Sequence, residues 1–303
     1  MSLTPEFLVF GATGQQGGAV ARALLAKGKT VRAFVRNPLS DSARQLAAEG
    51  ITLAVGNLSD RASIDRAMAG VSGVFSVQTS SPSGLVTDEE EVAQGIAVAD
   101  SAHAAGVAHI VYSSGGAAGK GPTGMGHFDS KSRIEDHLRS LPIAATITRP
   151  ASFMEMMMLP GMGLDSGTFT FFMAPDQPMQ MIALEDLGRV NAQILCDPHR
   201  YAGQAIELSS QAITGNDLAQ AFSEAAGRPI AYQRFPDAVL AQNGFLRKLS
   251  ELIDEGVLAG LADISALERE FGPMTSLRQW LAGSGKAVFQ AALEAPRAEI
   301  ALR

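Results

Sequence analysis

The chain is poor in the residues that would place it in several large classes. It has one cysteine, Cys196, among 303 residues, so no disulfide can form within it. That usage suits a reducing compartment, and we expect a cytoplasmic protein with Cys196 as a buried core thiol. The 24 Lys and Arg are outnumbered by 31 Asp and Glu, a net charge of −7. A basic nucleic-acid footprint is therefore missing, and no nucleic-acid partner is expected. No apolar run is long enough to span a bilayer, and apolar strand residues begin within the first ten positions, so neither a membrane segment nor a secretory leader is expected. The histidines, His103, His109, His127, His137 and His199, show no metal-ligand spacing, and no metal site is expected. Internal repeats and low-complexity tracts are also missing.

What is present begins with Phe7-Leu-Val-Phe-Gly-Ala-Thr-Gly-Gln-Gln-Gly-Gly18. Phe7 to Phe10 reads as a buried parallel strand. Gly11, Gly14 and Gly17 follow, and Ala19 to Leu25 reads as a helix closed near Gly28. Glycines at such a junction permit a tight turn, close approach of backbone amides to a pyrophosphate, and close strand–helix packing. The free N–H groups and positive dipole end of the helix then favour phosphate. The spacing is GxxGxxG rather than the common GxGxxG. Its place between a strand and a helix makes dinucleotide binding the reading over a purely structural turn.

Strand and helix signals then alternate. Strands are expected at Thr30–Val35, Ile51–Val55, Val71–Val77, Ala108–Tyr112 and Ile143–Thr148. Helices are expected near 40–48, 61–69, 89–105 and 128–139. This predicts an α/β, Rossmann-type doubly wound parallel sheet with a smaller, mostly helical C-terminal domain. Residues 1–153 form the dinucleotide-binding domain in this reading, with a strand near 205–208 able to rejoin it. Residues 154–303 form the smaller substrate or partner domain. Ligands of such sheets sit at the carboxyl ends of the strands, so the loops after them hold the candidates.

After the second strand stands Val35-Arg36-Asn37-Pro38, with an arginine where NAD enzymes usually carry an acid. A guanidinium suits a 2′-phosphate, which favours NADP(H); the plainer reading is a solvated strand end. Asn57 is placed to meet an adenine edge, and Asp60 to cap the next helix. Gln78 and Thr79 fall on the ribose and nicotinamide side, and each also reads as a plain loop residue. Ser114 follows the fifth strand. His127-Phe128-Asp129-Ser130-Lys131 then puts Lys131 one helical turn after His127. Short-chain dehydrogenases carry Tyr-x-x-x-Lys at this place; here His127 replaces the tyrosine. Lys131 can hold ribose and nicotinamide. His127 is either a proton donor or a helix-start residue without a role. Asp88 to Glu91 reads as acids favouring a helix N-terminus rather than as a cation site. Eight of the twelve methionines fall between 154 and 181, either lining an adaptable apolar pocket or forming core.

These segments, with Arg149-Pro-Ala-Ser-Phe-Met-Glu155, Ile182-Ala-Leu-Glu-Asp-Leu-Gly188 and Met274-Thr-Ser-Leu-Arg-Gln-Trp-Leu281, resemble the NmrA-like family, a branch of atypical short-chain dehydrogenases, over nearly the whole chain. The resemblance implies a Rossmann domain with NADP(H). It implies cofactor contacts at Gly11, Thr13, Gly14, Gln16, Gly17, Arg36, Asn37, Gln78, Lys131 and the turn from Pro150 through Ser152 to Phe153. Asn57 departs from the Asp often found there. Two activities fit. One is an NAD(P)H-dependent oxidoreductase, reducing a small apolar, conjugated substrate such as a quinone, with Lys131 and solvent, His127 or Ser114 at the reacting end. The other is a non-catalytic NADP(H) redox sensor that regulates a protein partner.

Overall fold

The computed structural model describes residues 6–296. Within them the chain forms two compact units. One reaches to Arg149 and takes in Leu187–Ile206; the other comprises Pro150–Asp186 and the chain from Glu207 on.

In the first unit, β1 (Glu6–Val9), α1 (Gln15–Ala26), β2 (Thr30–Val35), α2 (Asp41–Ala48), β3 (Thr52–Val55), α3 (Arg61–Met68), β4 (Val71–Ser76), α4 (Asp88–Ala104), β5 (His109–Ser113), α5 (Gly126–Ser140) and β6 (Ala145–Pro150) alternate as expected. The sheet runs β3-β2-β1-β4-β5-β6, with a seventh strand beside β6. The chain order reverses between β1 and β4, both parallel to their neighbours, so the crevice opens at the carboxyl ends of these two strands. β1 is buried on both faces. Leu8 and Phe10 join Ile64, Val74, Val98, Tyr112 and Ile134 in one core layer, while Phe7 and Val9 point the other way and are also buried. A strand covered twice must be apolar throughout, which is why Phe7–Phe10 shows no alternation.

Local caps explain the helix starts. Ser40 accepts from Ala43 N–H (3.3 Å), and Asp60 accepts from Ala62 N–H (3.1 Å). Thr87 and Glu90 close a reciprocal box at α4. Arg32 bonds the carbonyls of Ala67 and Ala69 at the end of α3 and pairs with Glu6. Arg32, on β2, thus ties β1 to the end of α3.

The second unit contains β7 (Ser152–Phe153), β8 (Thr168–Phe171) and β9 (Met179–Ile182). α6 (Leu184–Leu195) leads back to the first unit, where α7 (Pro198–Tyr201) precedes β10 (Ala205–Leu208), the seventh strand. Ile147 N bonds Gln204 O and Ala151 N bonds Leu208 O, so β10 advances in the same direction as β6. The chain continues with β11 (Gln211–Ile213), α8 (Gly215–Ala226), β12 (Ala231–Arg234), α9 (Asp237–Gln242), α10 (Gly244–Asp254), α11 (Ile264–Phe271), α12 (Leu277–Ala282) and α13 (Lys286–Glu294). Helices dominate this unit, as expected. Two small sheets, β11-β9-β7 and β12-β8, were not legible as such.

Its core resolves the methionine question. Met154, Met157, Met162, Met173, Met179 and Met181 are buried among Phe169, Phe222 and Trp280. Phe169 meets Phe222 edge-on at 4.9 Å. Most of the cluster is therefore packing. Trp280 is fully buried, and its indole N–H donates to Glu155 Oε1 (3.0 Å). Burial pushes the Glu155 carboxyl up, against the bonds it accepts from Leu184 N–H and Trp280. Cys196 departs from expectation: it is half-buried at the end of α6, not in the core. Burial pushes its thiol up, so it is not an activated nucleophile. No helix among the described residues is long and apolar enough to cross a membrane.

Candidate functional site

The glycine stretch forms the turn from β1 into α1. Gly11 has φ +68°, and a Cβ there would lie 2.7 Å from Val77 Cγ1. Only glycine takes this conformation at no steric cost. At Gly17 a Cβ would lie 2.7 Å from Ala12 N and closer still to the Gly11 carbonyl. The helix therefore packs backbone to backbone on the turn. Gly14 is the N-cap of α1 and makes no side-chain cap, unlike the residues that begin α2, α3 and α4. The first N–H groups of α1 are thus left for a ligand. Thr13 and Gly14 are exposed at this rim. Gln16 is half-buried, and its Oε1 accepts from Ser113 Oγ (2.7 Å), which ties the start of α1 to the end of β5.

Gln78 lies just past β4. It is 8% exposed, its Nε2 donates to Ser76 Oγ (2.9 Å), and its Oε1 is buried with no partner among the described residues. A buried acceptor left unpaired is costly and calls for an outside donor. Thr79 follows it, half-buried. On the other side of the glycine turn, Arg36 is exposed with no hydrogen bond or ion pair among the described residues. Asn37 Oδ1 accepts from Leu39 N–H (2.9 Å) and shapes the turn after β2. Asn57 is exposed; its Oδ1 accepts from Ser59 N–H (3.0 Å), which leaves its Nδ2 for a ligand. Pro150 ends β6, and Ser152 and Phe153 form β7, paired with Met181 and Ile182 in the second unit.

A nicotinamide dinucleotide fits these residues on two counts. The turn leaves no room for a Cβ at Gly11 or Gly17, and Gln78 offers an orphan acceptor of the kind a carboxamide or ribose hydroxyl satisfies.

The structure revises two of the expected proton donors. Ser114 is buried, and its hydroxyl donates to Glu135 Oε1 (2.6 Å). Its proton is committed, so the expected role at the reacting end is withdrawn. His127 rests against Phe128, ring centroids 4.1 Å apart. Burial, then Lys131, lowers its pKa from 6.5 to about 4, against Asp88 and Asp129, which raise it. At neutral pH it is an uncharged imidazole and supplies no imidazolium proton. Tyr112 does not substitute: it is buried inside β5, and burial pushes its phenol up.

The His127 shift carries a pH prediction. Its folded-state value lies below the unfolded one, so its contribution is complete above about pH 6.5. That contribution is lost as pH falls toward 4. The drop from 6.5 to about 4 corresponds to about 3 kcal/mol. Urea melts of His127→Gln should fall less steeply between those pH values than wild type. Equal slopes would contradict the shift.

Lys131 is held by a residue that sequence reasoning assigned elsewhere. Its ammonium pairs with Glu91, which is 0% exposed. The signal was present: Glu91 shares a helical stripe with the buried Gly95, Val98 and Ala102, and a carboxylate within an apolar stripe needs a partner. Next to it, Glu135 is also fully buried and binds Ser114, Arg139 and Arg149. Burial pushes its carboxyl up, but the bonds from Arg149 and Ser114 outweigh this and hold it below the usual range. Among the described residues no group of three or more His, Cys, Asp or Glu gathers as metal ligands do. A groove of about 240 Å³ lined by Leu138, Arg139, Leu141, Ile143 and Ala205 lies at the amino ends of β6 and β10, at the opposite end of the strands from the glycine turn.

The model of the NmrA-like family matches residues 4–281. An NAD(P)H azoreductase from Xenophilus azovorans is 31% identical over 228 residues, which cover 74% of this chain and 75% of that protein. Two solved structures share the fold. One is an NADPH-dependent quinone oxidoreductase from Escherichia coli complexed with NADPH, with TM-score 0.74, 24% identity, and 91% and 98% of the two chains covered. The other is NmrA, a negative transcriptional regulator, in complex with NADP, with TM-score 0.76, 24% identity, and 95% and 98% covered.

Proposed function

The chain belongs to the NmrA-like family, and from that premise we propose that it binds NADP(H) and reduces a small conjugated substrate such as a quinone. The observation that carries the coenzyme reading is the cradle at Gly11, Gly14 and Gly17 with the unpartnered Gln78 acceptor beside it. The free amides of α1, near Thr13 and Gln16, hold the pyrophosphate. Arg36 and Asn37 face the 2′-phosphate side, and Asn57 the adenine. Gln78, Thr79 and Lys131 serve the ribose and nicotinamide side. When bound, NADPH supplies a hydride equivalent. Lys131, fixed by Glu91, orients the ribose through its remaining N–H donors.

The chain has neither a tyrosine at position 127 nor a free Ser114 hydroxyl, so it offers little general-acid help. That suits substrates whose reduced form stays anionic until water protonates it, as hydroquinones do. The azoreductase relative supports the same class, and the quinone oxidoreductase shares the fold. The missing acid also favours the second reading, a redox sensor for a protein partner, for which NmrA is the parallel. Absorbance at 340 nm with quinones, azo dyes and triphenylmethane dyes separates the two. Turnover of at least one is expected, and none with any would overturn the reductase reading.

Arg36→Asp tests the coenzyme choice. A charge-assisted bond contributes about 1.5–3 kcal/mol, so affinity for NADP(H) should fall about tenfold or more while NAD(H) holds or gains. An unchanged ratio by calorimetry would reject the role.

A further inference from the structure

We propose that Glu91 is the counter-ion that sets the charge at the nicotinamide end of the crevice, balancing affinity between oxidised and reduced coenzyme. The inference rests on the NADP(H) reading above. Both Glu91 oxygens are engaged: Oε2 accepts from Ser130 Oγ (2.9 Å) and Oε1 from the Lys131 ammonium. Ile134 packs onto Gly95 with no room for a side chain, which draws α4 and α5 together one turn below the pair. The Lys131 stem reaches along Gly115, past the carboxyl end of β5, and the side chain is only 12% exposed. Solvent screens such a pair weakly.

The oxidised nicotinamide is a cation and the reduced ring is neutral. An ammonium alone at this place would repel the oxidised form and leave the reduced form almost unaffected. Joined to Glu91 it presents donors without net charge. His127 beside it adds no charge at neutral pH. Asp88 and Asp129 are the acids whose fields reach that ring. Asp129 Oδ1 is already bound to Thr123 through its N–H (2.8 Å) and hydroxyl (2.9 Å). Glu91 is thus a positioning residue acting through Lys131, with an electrostatic effect that packing alone would not produce.

The test is calorimetry with NADP⁺ and NADPH on the full chain, comparing wild type, Glu91→Gln, Glu91→Asp, Lys131→Met and the Glu91→Gln/Lys131→Met double variant. Glu91→Gln should weaken NADP⁺ relative to NADPH by about tenfold. Glu91→Asp keeps the charge and should stay within about threefold of the wild-type ratio. Lys131→Met leaves the anion alone and should shift the ratio the opposite way, toward NADP⁺. The double variant should return it to the wild-type value, even if Glu91→Gln alone folds poorly. Equal changes in both coenzyme forms, or none, in Glu91→Gln and Lys131→Met would make the pair merely structural and overturn the proposal. Failure of wild type to bind either form would instead remove the coenzyme reading, and the proposal with it.

Discussion

Gly17→Ala is expected to lower affinity for NADP(H) by about 100-fold or more. The added methyl would sit 2.7 Å from Ala12 N and nearer still to the Gly11 carbonyl. These are backbone atoms that no rotamer change can move, so α1 must shift away from the turn. The Gly14 N–H bond to Gly11 O (2.9 Å) and the Gly18 N–H bond to Gly14 O (3.0 Å) lie inside the displaced segment. The amides proposed to hold the pyrophosphate move with it. Two charge-assisted bonds of about 1.5–3 kcal/mol each account for the loss. Overpacking of this kind also costs about 1–3 kcal/mol in stability. Calorimetry and urea melts read the two effects separately. An affinity within about threefold of wild type would mean that the cradle tolerates a side chain, and its argument would fail.

Glu135→Ala is expected to cost about 3–5 kcal/mol of folding stability, the range for breaking a buried ion pair from one side. The carboxylate accepts from Arg149 Nε (3.0 Å), an Arg149 terminal nitrogen (2.6 Å), Arg139 (2.7 Å) and Ser114 (2.6 Å). Arg149 is only 12% exposed, so Glu135→Ala takes from a poorly hydrated guanidinium the carboxylate that binds it twice. Since the Glu135 carboxyl is held below its ordinary value, its contribution is present above the unfolded value of about 4.5 and fades as pH falls below it. Urea melts near pH 7 should show the full loss, and melts near pH 3 a smaller one. A loss under about 1 kcal/mol at pH 7 would contradict the account.

Both residues illustrate what was legible beforehand. The Gly11–Gly17 motif, the β–α alternation and the Asp60 cap depend on residues a few positions apart, and each lies where the pattern placed it. The Glu91–Lys131 and Ser114–Glu135 bonds join residues on separate elements, 40 and 21 positions apart. Local acid-run reasoning assigned Glu91 to the helix dipole, because the stripe it shares with Gly95 is visible only when burial is considered. β7 and β9 are short and lie in methionine-rich sequence with few β-branched residues, so they gave little strand signal. β8, Thr168-Phe-Thr-Phe171, does alternate and was open to reading. Cys196 follows an apolar helix but sits past its last turn, where the stripe no longer covers it.

The account stands or falls on coenzyme binding at the β1–α1 turn. Titration of the wild-type chain with NADPH and NADH in the calorimeter tests it most directly. The prediction is a saturable heat with NADPH at least about tenfold tighter than with NADH, from the added charge-assisted bonds at Arg36. No heat with either coenzyme would contradict it.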